Sequence, residues 1–256
     1  MPERDLDLLI GAAEAAGAVA KGFWRKDPKF WEKAPGEPVG EADLAANTVL
    51  RERLCAARPD YGWMSEEDED TPERRASDKV FIVDPIDGTK SFLKGEENWG
   101  VAAAVVEKGV VTAGVFVMPA KRVTYAAALG EGVTKNGVPI AIRPPAAIPD
   151  VLTAKASFRS EHWTGPVPEM ERAFRPSLVY RFALVAEGRF DMTLTLRGAW
   201  EWDIAAGAIL VSEAGGKAVD RYGAALVFNS LERRVDGAVA ASVDLVDATV
   251  ARLSGA

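Results

Sequence analysis

The sequence predicts a mixed α/β protein with two lobes, and three features of its patterning support this fold class. Segments with the apolar spacing of amphipathic helices open the chain and recur in its second half. Short continuous apolar runs lie between them, which indicates buried β-strands. A proline-rich run at 143–149 suits neither a helix interior nor a central strand. It predicts a boundary between lobes at 1–145 and 146–256.

The elements of the first lobe follow from these patterns in chain order. Apolar residues at helical spacing predict helices over 6–21 and 41–57, and Pro59 closes the second. A polar loop is predicted between them, over 27–40. The remaining predicted elements are strands at 80–83, 101–106, 110–118 and 122–128, followed by a hairpin turn at Asn136-Gly137.

In the second lobe, predicted helices and strands alternate. One helix is expected over 177–187, where Gly188 ends it, and another over 203–214. Strands are predicted at 190–196 and 237–242, and a last helix at 243–253.

Composition restricts the chemistry that this chain can perform. Its 31 lysines and arginines against 38 aspartates and glutamates give a formal net charge of −7, which disfavours nucleic-acid polymers and anionic membranes as partners. The single cysteine, Cys55, excludes an internal disulfide and a thiolate zinc cluster. The single histidine, His162, excludes multi-histidine metal sites and disfavours a Ser-His-Asp triad. Any catalysis must therefore depend mainly on carboxylates and hydroxyls.

The same features predict where the protein resides. One cysteine fits a reducing compartment. The first ten residues lack the apolar core of a signal peptide, and no stretch approaches the roughly 20 apolar residues that span a bilayer. We therefore expect a cytoplasmic protein without a membrane partner.

The segment 83–89, VDPIDGT, carries the strongest chemical signal. The strand before it delivers Asp84 to its carboxyl end, where α/β sheets place their sites. The proline restricts the turn and the glycine permits a close approach, so Asp84 and Asp87 can point at one place. A helix that begins at Thr89 would add backbone N–H groups for an anion. The simpler alternative is an Asp-Pro turn with an N-capping threonine.

Three other acidic positions have structural interpretations that suffice in isolation. The acidic run that begins at Glu66-Glu67 is typical of a solvated loop. Asp203 stands where a helix N-cap is expected, and Asp43 is an acid in the first turn of a helix, where the helix dipole favours it. Carboxylates without histidine nevertheless suit Mg²⁺, and clustered carboxylates need cations to offset their repulsion. The residue types thus permit metal-assisted phosphate hydrolysis, although one sequence does not show that these acids cluster.

Three motifs in order resemble the signature set of the inositol monophosphatase superfamily: SEE at 65–67, DPIDGT at 84–89 and WDIAAG at 202–207. The similarity extends from Asp43 to the EAGG segment at 213–216. The resemblance implies an α/β (α+β) fold, a layered α-β-α-β-α sandwich of the inositol monophosphatase or sugar phosphatase type. It also implies lithium-sensitive hydrolysis of phosphomonoesters with two or three Mg²⁺ ions, and it suggests a homodimer.

The resemblance further implies a metal site made of oxygen ligands. When the family's ligands are carried over residue by residue, the first Mg²⁺ would be held by Glu66, Asp84 and the backbone carbonyl of Ile86. The second would be held by Asp84, Asp87 and Asp203.

The same resemblance assigns the phosphate and the nucleophile. Gly88 and Thr89 would bind the phosphate through their N–H groups, and a third, weakly bound ion would lie near Glu66 and Glu67. Thr89 with Asp43, or Glu66 through a metal-bound water, would activate the nucleophile.

Two details of the motifs resemble the 3′(2′),5′-bisphosphate nucleotidase branch of the family. Ser65 precedes the two glutamates, and Lys90 follows the DGT triplet. Leu196 stands where the inositol branch has an acid. A small phosphorylated metabolite is therefore expected, with adenosine 3′,5′-bisphosphate preferred to inositol monophosphate, while histidinol phosphate and sugar phosphates stay open. Lys90, Lys94 and Arg181 are either contacts for a second phosphate or ordinary surface cations.

Two positions depart from the family patterns. Gly40 stands where the family usually has threonine, and the segment 177–182 does not reproduce the nucleotidase pattern. The alternative of another class is a catalytically silent relative that binds metal or nucleotide as a regulator. It ranks lower because all the metal acids and Thr89 are present. A P-loop kinase is excluded, since the chain has no GxxxxGK[ST] motif.

Overall fold

The structure, a computed structural model, describes residues 3–34 and 37–255, apart from the side chain of residue 37. The helices are α1 (Asp5–Phe23), α2 (Glu41–Ala57), α3 (Thr89–Leu93), α4 (Leu178–Ala186), α5 (Ala205–Glu213) and α6 (Val243–Val250). Strands of the first half are β1 (Phe30–Ala34), β2 (Glu37–Gly40), β3 (Gly62–Ser65), β4 (Lys79–Asp87), β5 (Gly100–Glu107), β6 (Val110–Met118), β7 (Val123–Ala128), β8 (Gly132–Lys135) and β9 (Val138–Pro139). Those of the second half are β10 (Asp150–Thr153), β11 (Glu171–Ala173), β12 (Met192–Thr195), β13 (Ala199–Trp200), β14 (Lys217–Val219), β15 (Arg234–Val235) and β16 (Ala238–Ala241).

Helices and sheets alternate in five layers. Helices α1 and α2 cover one face of a seven-stranded sheet, and α4 and α5 lie between its other face and a five-stranded sheet. Helix α6 packs on the outer face of the five-stranded sheet. The predicted α-β-α-β-α sandwich and its α/β fold class are therefore confirmed.

The seven-stranded sheet explains the continuous apolar runs of the first half. Its strand order is β3-β4-β5-β6-β7-β8-β9, and β3 is parallel to β4 while the other neighbours are antiparallel. Along β5, Val101, Ala103 and Val105 face the α1–α2 layer, whereas Ala102 and Ala104 face the central layer. Both faces of the strand are buried, which removes the polar alternation of a half-exposed strand.

The five-stranded sheet is built from short strands of the second half. Its order is β11-β10-β12-β16-β14, with β11, β10 and β12 parallel and the last two pairings antiparallel. The proline-rich run 143–149 connects β9 to β10. Because α4 and α5 contact both sheets, the central core joins both halves of the chain. A division into lobes at residue 145 stays a prediction.

Several elements differ from the sequence prediction. The predicted polar loop over 27–40 contains the antiparallel hairpin β1–β2. The predicted helix over 203–214 begins as a 3₁₀ turn, Glu201–Asp203, and becomes α-helical only at Ala205. Other strands that were not predicted, such as β3 and β13, have only four and two residues and pair with distant segments, so they carry too little periodicity to be recognised. In the part of the chain that the structure describes, no helix is long and apolar enough to cross a membrane.

Candidate active site

Three carboxylates from two distant parts of the chain converge at the carboxyl end of β4. Asp84, Asp87 and Asp203 each offer one oxygen, and these three oxygens lie within 4.8 Å of one another. The pairing of β4 with β5 shifts register between Asp84 and Asp87, so both side chains reach the same place. Asp203 arrives from the 3₁₀ turn before α5.

Small residues allow α5 to carry this turn close to the sheet. A Cβ on Gly114 of β6 would lie 2.6 Å from the Ile209 side chain of α5. A Cβ on Gly207 would lie 2.6 Å from the Phe182 ring of α4. The small residues that follow Asp203 therefore serve close packing between layers.

Asp87 also caps the N-terminus of α4. Its carboxylate accepts hydrogen bonds from the Ser177 hydroxyl at 2.6 Å, the Val179 N–H at 2.7 Å and the Leu178 N–H at 3.1 Å. The Ser177 oxygen in turn accepts the Tyr180 N–H at 3.0 Å. A residue 90 positions away along the chain thus fixes the Asp87 carboxylate, and no sequence pattern connects the two.

The segment after Asp87 forms the expected turn and short helix. Gly88 adopts φ +97°, and a Cβ there would lie 2.8 Å from the Asn98 carbonyl oxygen, so glycine is required for both conformation and space. Helix α3 begins at Thr89, and the first N–H groups of a helix have no acceptor within it. The Thr89 hydroxyl donates to the Ile86 carbonyl at 3.0 Å.

Asp43 lies on the other side of Thr89. The Thr89 hydroxyl is 3.4 Å from Asp43 Oδ1, while Oδ2 accepts the Gly40 N–H at 2.9 Å at the start of α2. Burial, reinforced by the negative charge of Glu67, raises the pKa of Asp43 to about 7. A Cβ on Gly40 would lie 3.0 Å from the Lys29 carbonyl oxygen, so the backbone leaves little space there for the threonine usual in the family.

The two glutamates of the SEE motif face a lysine of the β1–β2 hairpin. Lys33 Nζ lies 3.1 Å from Glu66 Oε1 and 2.9 Å from Glu67 Oε1. Burial and the charge of Glu66 raise the pKa of Glu67 even though Lys33 opposes this. The Ser65 hydroxyl donates to Asn47 Oδ1 at 2.7 Å and fixes the start of the loop. Lys33 was missed because a single lysine in a polar segment carries no pattern.

The electrostatics of the acid cluster favour a bound cation. Burial, together with the neighbouring carboxylates, raises the pKa of Asp84 and of Asp203 well above the usual range. Burial also raises the pKa of Asp87 to about 6, against the hydrogen bonds from Ser177 and α4. Carboxylate oxygens, with the nearby Ile86 carbonyl, are the donor set of a hard divalent ion.

The charges of two arginines act on Asp87 and Asp203. Arg181 is mostly buried, its Nε donates to the Arg175 carbonyl at 2.7 Å, and burial lowers its pKa to about 10 although Asp87 opposes this shift. Arg197 is exposed, and its charge restrains the rise in the pKa of Asp203. No sequence pattern marks Arg197, which is a single cation after the short strand β12.

Lys90 and Lys94 are both exposed at α3. Their contact with a second phosphate stays a prediction.

Clustered acids beside a helix start are suited to holding cations against a phosphate, which indicates a phosphate-processing enzyme, and comparison with known proteins agrees. Residues 1–252 match the model of the inositol monophosphatase family. The chain therefore belongs to that family, and it is a phosphatase that hydrolyses phosphomonoesters. The resemblance of the three motifs is confirmed.

Relatives of this chain carry several different names. An inositol-1-monophosphatase of Rhizobium meliloti (strain 1021) is 33% identical over 85% of this chain and 86% of its own length. A histidinol-phosphatase of Chlorobaculum parvum is 33% identical over 86% of each chain. The 3′(2′),5′-bisphosphate nucleotidase CysQ of Salmonella typhimurium is 31% identical over 91% of this chain and 95% of its own.

A solved structure supports the fold alone. The extragenic suppressor protein suhB of Bartonella henselae superimposes with a TM-score of 0.83 at 24% identity, over 96% of both chains.

Proposed function

We propose that this chain is a Mg²⁺-dependent phosphatase acting on a small metabolite with two phosphate groups, with adenosine 3′,5′-bisphosphate as its substrate. The observation that carries the metal-dependent reaction is the convergence of Asp84, Asp87 and Asp203 within 4.8 Å. Three such carboxylates repel one another strongly unless cations neutralise them. A site with this arrangement is therefore suited to holding divalent ions against a phosphate.

The proposed ligands of two or three Mg²⁺ ions are Glu66, Asp84, the Ile86 carbonyl, Asp87 and Asp203. The donor atoms are all oxygens, which fits a hard cation. When bound, Mg²⁺ supplies positive charge that attracts the phosphate oxygens and lowers the pKa of water. The Lys33 ammonium, between Glu66 and Glu67, offsets part of the remaining negative charge.

The other residues bind phosphate and move a proton. The N–H groups of Gly88 and Thr89 would receive phosphate oxygens at the start of α3. Asp43 has a pKa of about 7 and lies 3.4 Å from the Thr89 hydroxyl, so at neutral pH it can accept a proton through that hydroxyl. Glu66 is the alternative group for activating the nucleophile.

Two observations favour a second anionic group on the substrate. The charges of Arg181 and Arg197 act on Asp87 and Asp203, and Lys90 is exposed beside the proposed phosphate-binding turn. Guanidinium groups are well suited to phosphate. Leu196, buried next to Arg197, has no group that could bind a sugar hydroxyl.

Phosphate release under Mg²⁺ tests this proposal, with and without lithium, over bisphosphonucleotide, inositol, histidinol and fructose phosphates. We expect the highest kcat/KM for adenosine 3′,5′-bisphosphate. Arg197→Gln should lower that value at least fivefold while changing turnover of adenosine 3′-monophosphate less than twofold. Arg53→Gln, an exposed residue near the far end of α2, is the matched control and should change neither. Equal losses on both substrates would remove Arg197 from recognition of a second phosphate.

The second candidate substrate is inositol 1-monophosphate, which the name of the R. meliloti relative favours. A panel in which inositol 1-monophosphate exceeds every bisphosphate would establish this alternative. The homodimer and the cytoplasmic location stay predictions.

A further inference from the structure

Two fully buried charges lie outside the proposed reaction and have no part in it. The Arg74 side chain is 0% exposed and belongs to the 3₁₀ turn Pro72–Ala76, which follows the acidic loop that starts at Glu66. Glu201 is also 0% exposed and lies two residues before Asp203. Buried charges are costly unless paired, so each needs a structural reason.

Arg74 connects the acidic loop to a segment of the second half of the chain. Its Nε lies 2.6 Å from Asp70 Oδ1, and its Nη2 donates to Asp70 Oδ2 at 3.2 Å. The same guanidinium donates to the Ser230 carbonyl at 2.8 Å and to the Asn229 side-chain oxygen. Residues 229 and 230 are therefore tied to the loop that carries Glu66.

Glu201 holds the same segment from the other side. Its two carboxylate oxygens accept the Asn229 N–H at 2.6 Å and the Ser230 N–H at 2.9 Å. Its own N–H donates to the Arg233 carbonyl at 2.9 Å, and Arg233 Nε lies 3.9 Å from Asp70. Arg74 and Glu201 thus both bind the two-residue segment 229–230, Arg74 as a donor and Glu201 as an acceptor.

The position of this bridge matters because it joins the loop bearing Glu66 to the turn bearing Asp203. Without a cation, Asp203 is repelled by Asp84 and Asp87, so these charges by themselves favour a wider separation. A turn that carries a repelled carboxylate must be held by bonds elsewhere. Glu201, within the same turn, makes those bonds.

We propose that Arg74 and Glu201 are positioning residues that hold the Asp203 turn against the acidic loop and thereby set the affinity of the site for divalent cations. This inference rests on the proposed metal site. Buried charges are costly even when they are paired, as Arg74 is with Asp70, or hydrogen-bonded, as Glu201 is to two backbone N–H groups. A role in geometry therefore accounts better for their presence than stability does.

Arg74→Met tests the proposal, because methionine fills much of the space without the charge. The control is Arg143→Met, since Arg143 also connects separate segments of the chain, through ion pairs with Asp191 at 2.7 Å and Asp150 at 2.8 Å, but in the loop before β10. Two readouts are needed: Tm in EDTA, and Mg²⁺ binding to the metal-free protein by isothermal titration calorimetry. Neither depends on turnover.

Both variants should lower Tm, but only Arg74→Met should weaken Mg²⁺ binding, by at least tenfold, while Arg143→Met stays within twofold of wild type. Unchanged Mg²⁺ affinity in a folded Arg74→Met would overturn the proposal and leave a purely structural role. Should Arg74→Met fail to fold, Glu201→Gln provides the test. Its amide keeps one of the two acceptor oxygens, which favours folding, and loses the other, so Mg²⁺ binding should still weaken severalfold. Wild-type protein that binds no Mg²⁺ would instead contradict the proposed function itself.

Discussion

Replacing Asp87 with asparagine should stabilise the metal-free protein at neutral pH and abolish its Mg²⁺-dependent hydrolysis. Burial raises the pKa of this carboxyl from 3.8 to about 6. The folded protein therefore binds the proton more tightly than the unfolded chain does. The resulting stability is fully present below about pH 4 and is lost as the pH rises through about 6.

The magnitude follows from the size of that shift. A pKa difference of about two units corresponds to roughly 3 kcal/mol of lost stability at pH 7. The asparagine amide would face the N–H groups of Leu178 and Val179, which removes about 1 kcal/mol of capping. The net gain is about 2 kcal/mol, equivalent to a rise in Tm of roughly 4–8 °C for a chain of this size.

Thermal denaturation in EDTA at pH 4 and pH 7.5 measures this gain. Asp191→Asn is the control of opposite sign. Burial raises the pKa of Asp191, but the hydrogen bonds from Arg143 and from the Asp150 and Ala146 N–H groups together outweigh it, so the pKa is lowered. This variant should therefore lose stability at pH 7.5. Added Mg²⁺ should raise the Tm of wild type and leave Asp87→Asn unchanged. An Asp87→Asn protein less stable than wild type in EDTA at pH 7.5 would refute the reasoning.

Three further predictions concern the same region. Wild-type activity should rise between about pH 6 and 8 as Asp43 ionises. Asp43→Asn should flatten that rise and lower kcat at least tenfold. A pH–rate profile of the variant with the rise intact would assign the proton transfer to another group. Gly88→Ala should destabilise the fold by about 1–3 kcal/mol in urea unfolding, because its φ is positive and Asn98 leaves no space; a change under about 0.5 kcal/mol would contradict this. Gly207→Ala should cost about 1–3 kcal/mol by overpacking Phe182, and a neutral result in the same assay would show that α4 and α5 separate easily.

Much of the fold was predictable because its largest elements carry strong local patterns. The bounds of α2 agree with the predicted 41–57, and the apolar run at 80–83 lies in the first half of β4. The placement of Asp84 and Asp87 followed from the same strand and turn, since a proline and a glycine fix the chain locally.

The parts of the site that sequence reasoning missed all depend on contacts between distant segments. Lys33 reaches Glu66 from a hairpin that resembles a polar loop, and Ser177 reaches Asp87 across 90 residues. In the sequence, Arg74 is an ordinary cation after an acidic run, and only the structure shows that its side chain is buried. Single charges have no periodicity, so only the packed structure distinguishes these residues from solvated ones.

The central claim is that Asp84, Asp87 and Asp203 hold the cation on which phosphate hydrolysis depends. The most direct measurement is phosphate release from adenosine 3′,5′-bisphosphate during a Mg²⁺ titration of wild-type and Asp203→Asn proteins, each freed of metal by EDTA. We predict that wild-type release saturates with Mg²⁺ and that Asp203→Asn, folded with Tm no lower than wild type in EDTA, loses at least 100-fold in kcat/KM. Release that persists in EDTA, or that survives in Asp203→Asn, would contradict the claim.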